Sequence, residues 1–119
     1  MTIKLIKKSD SKAELLLDGR LDTSTAPAAQ DAFLNVASQY AEVELNFADL
    51  AYVSSAGLRA LLMLQKQVNK TGGSLVLTNV KPSVKEVFEI TGFAGIMNIA
   101  DYYFEQKTFV KLCDKVWKY

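Results

Sequence analysis

Two adjacent serines are the side chains best placed to do chemistry in this sequence. Ser54 and Ser55 stand in the segment Asp49-Leu50-Ala51-Tyr52-Val53-Ser54-Ser55-Ala56-Gly57-Leu58-Arg59. A serine hydroxyl here can cap a helix, attack a substrate or accept a phosphoryl group. Capping satisfies a backbone N–H that the first turn of a helix leaves without a partner. One serine is enough for that, and two are present. Attack on a substrate needs a base, and the chain contains no histidine. A Ser-His-Asp or Cys-His arrangement is therefore excluded. Lys66 and Lys70, further along the same predicted helix, are poorly placed to replace it. A hydrolase built on Ser55 would show Ser55-dependent turnover in an esterase or phosphatase assay.

Other chemistry is thin. With no histidine and one cysteine, Cys113, a clustered zinc site cannot be assembled and no intrachain disulfide can form. Cys113 falls at helical spacing with Phe109, Val116 and Trp117 and reads as a small buried hydrophobe. Ser9-Asp10-Ser11-Lys12 and Lys70-Thr71-Gly72 match fragments of serine β-lactamase-type sites. The S-D-N element is missing, and Ser9 falls in a predicted turn. Gly72-Gly73 lacks the surrounding pattern of a phosphate loop and reads as a helix stop. No cofactor is expected.

The whole composition fits one soluble globular domain. The chain has 119 residues, 50% of them hydrophobic and 23% charged, which is the make-up of one globular domain, residues 1–119. Fourteen basic and thirteen acidic residues leave a formal charge of +1. Nucleic-acid binding wants a basic excess, and none exists. No apolar run approaches the roughly 18 residues of a membrane span. The opening MTIKLIKKSD has lysines but no apolar core of a signal peptide, so the cytoplasm is the expected location, without membrane insertion.

The elements that must position the serines are readable from periodicity. Residues 2–7 and 12–18 alternate as strands around a Ser9-Asp10-Ser11 turn, which predicts an opening hairpin. Ser24 or Thr25 can cap a helix with Pro27 in its first turn. Ala29, Phe33 and Val36 recur on one face of that helix, which runs to about residue 38. Val43, Leu45 and Phe47 alternate as a strand over 42–47, and 48–53 reads as a connector. A second helix opens at Ser54-Ser55 and carries its core stripe on Leu58, Leu61, Leu64 and Val68. Strand 74–79, helix 82–91, a short edge strand at 96–99 and a closing amphipathic helix complete the order β-β-α-β-α-β-α-(β)-α. Strands alternating with helices favour parallel pairing in the middle, beside an antiparallel opening pair. The expected fold is α/β, a small mixed sheet with helices mainly on one face.

The pattern Asp49-Leu50-x-x-Val53-Ser54-Ser55-Ala56-Gly57-Leu58 resembles the signature of STAS domains, and more narrowly that of the bacterial anti-sigma factor antagonists. Gly19-x-Leu21-Asp22, Gly72-Gly73 and Thr91-Gly92-Phe93 resemble family positions as well, so the resemblance covers essentially the whole chain. In the family the signature is D-S-x-G-L and its serine is the regulatory phosphosite. The resemblance assigns that role to Ser55, with Gly57 and Leu58 following, and puts Asp22 near it. Ser54 stands where the family has an acidic residue, which makes Ser54 a possible second acceptor.

A function follows from the resemblance. The protein would be a non-catalytic switch that binds an anti-sigma factor serine kinase when Ser55 is unphosphorylated, and a serine phosphatase would reset it. The alternative with the same fold is an accessory subunit of a membrane transporter ATPase. Helical geometry adds a docking stripe, because Arg59, Met63, Lys66 and Lys70 share one face of the second helix, opposite its core stripe. A methionine among cations reads either as a single tolerated exposed apolar residue or as an apolar anchor in a basic rim. The expected partner surface comprises Asp22, Ser54, Ser55, Gly57, Arg59, Met63 and Lys66.

Overall fold

The computed structural model describes residues 1–100. The opening alternation becomes strands β1 (Thr2–Lys7) and β2 (Lys12–Leu21), paired antiparallel with Ile3 opposite Leu17 and Leu5 opposite Leu15. Helix α1 (Ala26–Gln39), strand β3 (Glu42–Val53), helix α2 (Ser55–Thr71), strand β4 (Ser74–Thr78) and helix α3 (Pro82–Thr91) follow. The sheet runs β1-β2-β3-β4, and β2, β3 and β4 are mutually parallel. The mixed sheet expected from the sequence is present.

Side-chain alternation sorts the two faces of the sheet. Ala13, Leu15, Leu17, Val43, Leu45, Phe47, Leu75 and Leu77 are all buried on one face. Phe33 of α1, Leu61 and Leu64 of α2 and Phe88 of α3 are fully buried in the same cluster. The Phe88 ring lies 6.2 Å from that of Phe47, which fixes α3 on the face that carries α1 and α2. The opposite face is polar. Asn46 donates to Glu14 at 3.0 Å, and the Thr78 hydroxyl donates to Glu44 at 2.8 Å.

Four expectations need correction. Residues 48–53 are not a connector, because β3 continues to Val53 and pairs Leu50, Tyr52 and Val53 with Gly19, Arg20 and Leu21. The register slips between Leu16 and Asp18 and again between Gly19 and Arg20. Such bulges break strict alternation, which hides a strand from a period-two reading. By the same pairing β2 runs on past residue 18 to Leu21. Residues 93–95 form a short 3-10 turn, and the expected edge strand at 96–99 is reduced to one parallel bridge between Leu77 and Ile99. Thr25 sits at the N-cap of α1, but its side chain does not cap the helix and is engaged elsewhere. The expected closing helix, with Cys113, lies outside the described residues.

Helix α2 ends as its glycines imply. Gly72 adopts φ 74°, the left-handed geometry that a side chain disfavours, and its N–H bonds back to the last turn. Among the described residues no helix is long and apolar enough to cross a membrane.

Because Phe88 is the fully buried side chain by which α3 meets Phe47, Phe88→Ala should destabilise the protein by about 3–5 kcal/mol. Chemical denaturation of the two proteins measures the difference, and a loss below about 1 kcal/mol would show that α3 is not docked through this ring.

Candidate functional site

The site lies where β2 and β3 end and α2 begins. Two contacts hold α2 there, both on Leu21. The Ser54 N–H donates to the Leu21 carbonyl at 2.9 Å. Three residues on, Gly57 lies so close that a Cβ on it would sit 2.6 Å from the Leu21 oxygen and 2.8 Å from Leu21 Cγ. No side chain fits in that space. Gly57 is buried, so it positions the helix and does not offer surface to a partner, which corrects its place in the expected docking set.

The two serines separate by geometry. Ser54 has extended backbone angles and its Oγ accepts the Gly57 N–H at 3.2 Å, which makes it the N-cap of α2. Its carbonyl accepts the Leu58 N–H at 2.8 Å. Ser55 is the first residue of the helix, is exposed, and its hydroxyl has no hydrogen-bond partner among the described residues. An aspartate at position 54 would cap equally well, since Asp and Ser rank together there. Serine therefore keeps the cap and drops the charge.

Asp22 closes the turn that follows β2. Its Oδ1 accepts the Ser24 N–H at 3.0 Å, the Ser24 hydroxyl at 2.8 Å and the Thr25 N–H at 3.2 Å. The Thr25 hydroxyl donates to the Arg20 carbonyl at 2.8 Å and accepts the Asp22 N–H at 2.9 Å. That engagement is why Thr25 does not cap α1. The Ser24 hydroxyl, opposed by desolvation and aided by the backbone N–H groups of Thr25 and Ser24, holds the Asp22 carboxyl below its ordinary value. Asp22 is thus ionised at neutral pH and flanks the residue on which α2 is pinned.

Sequence reasoning missed two members of this neighbourhood. Arg20 and Tyr52 face each other across the β2–β3 ladder, with the guanidinium carbon 4.4 Å from the ring centroid. Arg20 Nε also lies 3.6 Å from Asp22 Oδ2. The pairing follows from the continuation of β3 through Val53, which the broken alternation concealed. The residue types were signal enough, since exposed Tyr and Arg are favoured in binding surfaces. On α2, Arg59, Met63, Lys66 and Lys70 are all exposed, Met63 to 42%, and lie on the expected stripe away from the buried Leu58, Leu61, Leu64 and Val68. No group of three or more metal-ligating side chains occurs among the described residues.

The STAS domain model matches residues 5–105, most of the chain. The chain belongs to the STAS domain family. Among its relatives is the anti-sigma-B factor antagonist of Bacillus subtilis, 30% identical over 95 residues, covering 80% of this chain and 87% of that protein. BtrV of Bordetella bronchiseptica, provisionally assigned to the anti-sigma factor antagonists, is 49% identical over 59 residues. That match spans about half of each protein, 50% of this chain and 51% of BtrV. The fold is that of the Bacillus anti-sigma factor antagonist SpoIIAA. Its unphosphorylated form superposes with a TM-score of 0.67 over 99% of this chain and all of SpoIIAA, at 18% identity. Its phosphorylated form gives 0.66 over 93% of this chain and 99% of SpoIIAA.

The cap assignment separates the two serines experimentally. Ser54→Ala should cost about 0.5–2 kcal/mol, and Ser54→Asp should keep wild-type stability or gain slightly from the positive end of the helix. Thermal or urea melts of the three proteins read this directly. Equal loss in both variants would remove Ser54 from the N-cap.

Proposed function

We propose that this STAS domain is a non-catalytic binding switch of the anti-sigma factor antagonist type, controlled by phosphorylation of Ser55. The observation that carries the reading is the division of labour at the start of α2. Ser54 is consumed as the cap, whereas Ser55 is exposed with its hydroxyl unbonded among the described residues. Ser55 is then the acceptor and Ser54 is not. The named relatives support the antagonist role, and none of those reported is a transporter subunit.

The location explains how a phosphate can switch binding without unfolding the protein. A helix N-terminus presents free N–H groups and the positive end of the helix dipole. The first turn of α2 holds no acidic residue, so nothing there already satisfies that field. A phosphoserine, carrying about −1.5 to −2 charges, is accommodated there. What changes is the surface. A partner that covers Ser55 when it is neutral would have to desolvate a dianion once it is modified, and the complex fails.

The partner on this reading is an anti-sigma factor with serine kinase activity, which supplies ATP and catalysis, and a serine phosphatase reverses the modification. Asp22, Ser54, Ser55, Arg59, Met63 and Lys66 form the docking face, with Gly57 beneath it. Met63 is the apolar anchor within the basic stripe. The chain itself contributes no catalysis, and the cytoplasm is where such a partner acts.

Phosphosite mapping after incubation with the cognate kinase and ATP should place phosphate on Ser55 in the wild type and in Ser54→Ala, and nowhere in Ser55→Ala. Ser55→Asp should melt within about 1 kcal/mol of wild type yet bind the kinase at least tenfold more weakly. A phosphate on Ser54, or a Ser55→Asp protein that binds normally, refutes the proposal.

Met63→Glu tests the docking stripe separately. On an exposed helix face the change should leave the melt within about 0.5 kcal/mol. In a partner interface it should cost about 1–2 kcal/mol or more of binding, because a buried apolar anchor becomes an unpaired charge. Calorimetric titration against the kinase decides, and unchanged affinity would exclude Met63 from the interface.

A further inference from the structure

We propose that Arg20 is the counter-ion of a phosphate on Ser55: on phosphorylation its guanidinium leaves Asp22 and takes the phosphate, while Tyr52 keeps it in place. The inference rests on Ser55 as phosphoacceptor and extends that reading to a specific residue of β2.

Arg20 is held loosely at its present partner. Its Nε stands 3.6 Å from Asp22 Oδ2, and its side chain is 60% exposed. None of its guanidinium N–H groups makes a hydrogen bond within the described residues. A long, solvent-exposed ion pair of this kind contributes little. Asp22 does not depend on it, because its turn is closed through the other oxygen, Oδ1, by Ser24 and Thr25. The guanidinium is nevertheless not adrift. It lies over the Tyr52 ring at 4.4 Å, an orientation fixed by the strand register that places Arg20 opposite Tyr52. A planar fork that is already oriented, and weakly paired, is the group that exchanges most readily to a stronger anion.

The backbone brings the start of α2 to the chain neighbour of Arg20. Leu21 lies between Arg20 and Asp22 in the chain. Its carbonyl holds the Ser54 N–H, and its oxygen is the atom that Gly57 approaches. Ser55 therefore lies between two residues pinned on the immediate neighbour of Arg20. A phosphate monoester dianion offers more charge and more acceptor oxygens than the Asp22 carboxylate, and an arginine can take it bidentately. Ser54, neutral, adds no carboxylate to oppose the transfer.

Three elements supply charged and titratable groups where β2 and β3 end and α2 begins: Arg20 and Asp22 from β2 and its turn, Tyr52 from β3, and Arg59 from α2. Arg59 is the competitor, because it lies four residues along the helix from Ser55 and is exposed. If Arg20 moves, phosphorylation does two things to the docking face: it adds an anion and withdraws a cation.

The test needs no kinase. The full chain is produced with phosphoserine encoded at position 55, and the phosphate is followed by phosphorus NMR through its second ionisation, which for a free phosphoserine lies near pH ~6. Arg20→Gln should raise that midpoint by about half a pH unit or more, Arg20→Lys by less, and Arg59→Gln by less than Arg20→Gln. In the wild-type protein the Arg20 Nε–Hε resonance should shift with the same midpoint, a readout that requires no substitution. An Arg20→Gln midpoint equal to wild type, a stationary Nε–Hε signal, or a shift abolished by Arg59→Gln alone would overturn the assignment. Because the phosphate is installed genetically, these outcomes judge Arg20 whether or not a kinase modifies Ser55, which the mapping experiment judges independently.

Discussion

The site depends on one close approach, that of the first turn of α2 to the Leu21 carbonyl at the end of β2. A single backbone oxygen takes the Ser54 N–H and lies where a side chain on Gly57 would have to go. A methyl group at Gly57 would force the helix start away from the strand, because the obstruction is backbone and cannot rotate aside. The helix start would then separate from the turn at Asp22 and from the Arg20–Tyr52 pair. The glycine of the signature is thus a condition for assembling charged and hydroxyl groups of β2 with those of β3 and α2, roughly thirty residues on in the chain.

With the helix pinned, the rest of the geometry follows from how backbone donors are satisfied. The first turn of α2 needs a cap, and Ser54 supplies it. That need consumes one hydroxyl and leaves its neighbour Ser55 exposed. At the end of β2 the corresponding need falls on Asp22, whose carboxylate gathers the N–H groups of Ser24 and Thr25. Two adjacent chain reversals are therefore closed by their own side chains. Ser55, the proposed switch residue, is left with no side-chain hydrogen bond among the described residues, so a change at its hydroxyl would break no bond of the fold described.

Much of this was legible in the sequence, for identifiable reasons. Val43, Leu45 and Phe47 alternate strictly, and Leu58, Leu61, Leu64 and Val68 keep helical spacing, so the core faces of β3 and α2 could be read directly. The mixed sheet followed from the order of elements. The segment from Ala48 to Val53 was not legible as a strand. Its buried residues, Leu50 and Val53, are three apart, and the bulges in the β2–β3 register account for that spacing. The same irregularity hid Arg20 and Tyr52, because neither shows a partner until the ladder is known. The two serines were visible as a pair, but their separation into cap and exposed hydroxyl depends on backbone angles at Ser54 that no spacing encodes.

Charge gives the arrangement its direction. Helix α2 carries Lys70 in its last turn, where a cation complements the dipole, and no acid in its first turn, where an anion would. An aspartate at position 54 would supply that anion permanently and would stand beside any phosphate on Ser55, raising its cost through like-charge repulsion. Serine at 54 provides the hydrogen bond alone. The positive end of the helix is then left without a fixed anionic partner in its first turn. Arg59 of α2 and Arg20 of β2 add cationic charge to that end of the fold. An anion placed at Ser55 would meet a helix-end field that no acidic residue of the first turn has already neutralised.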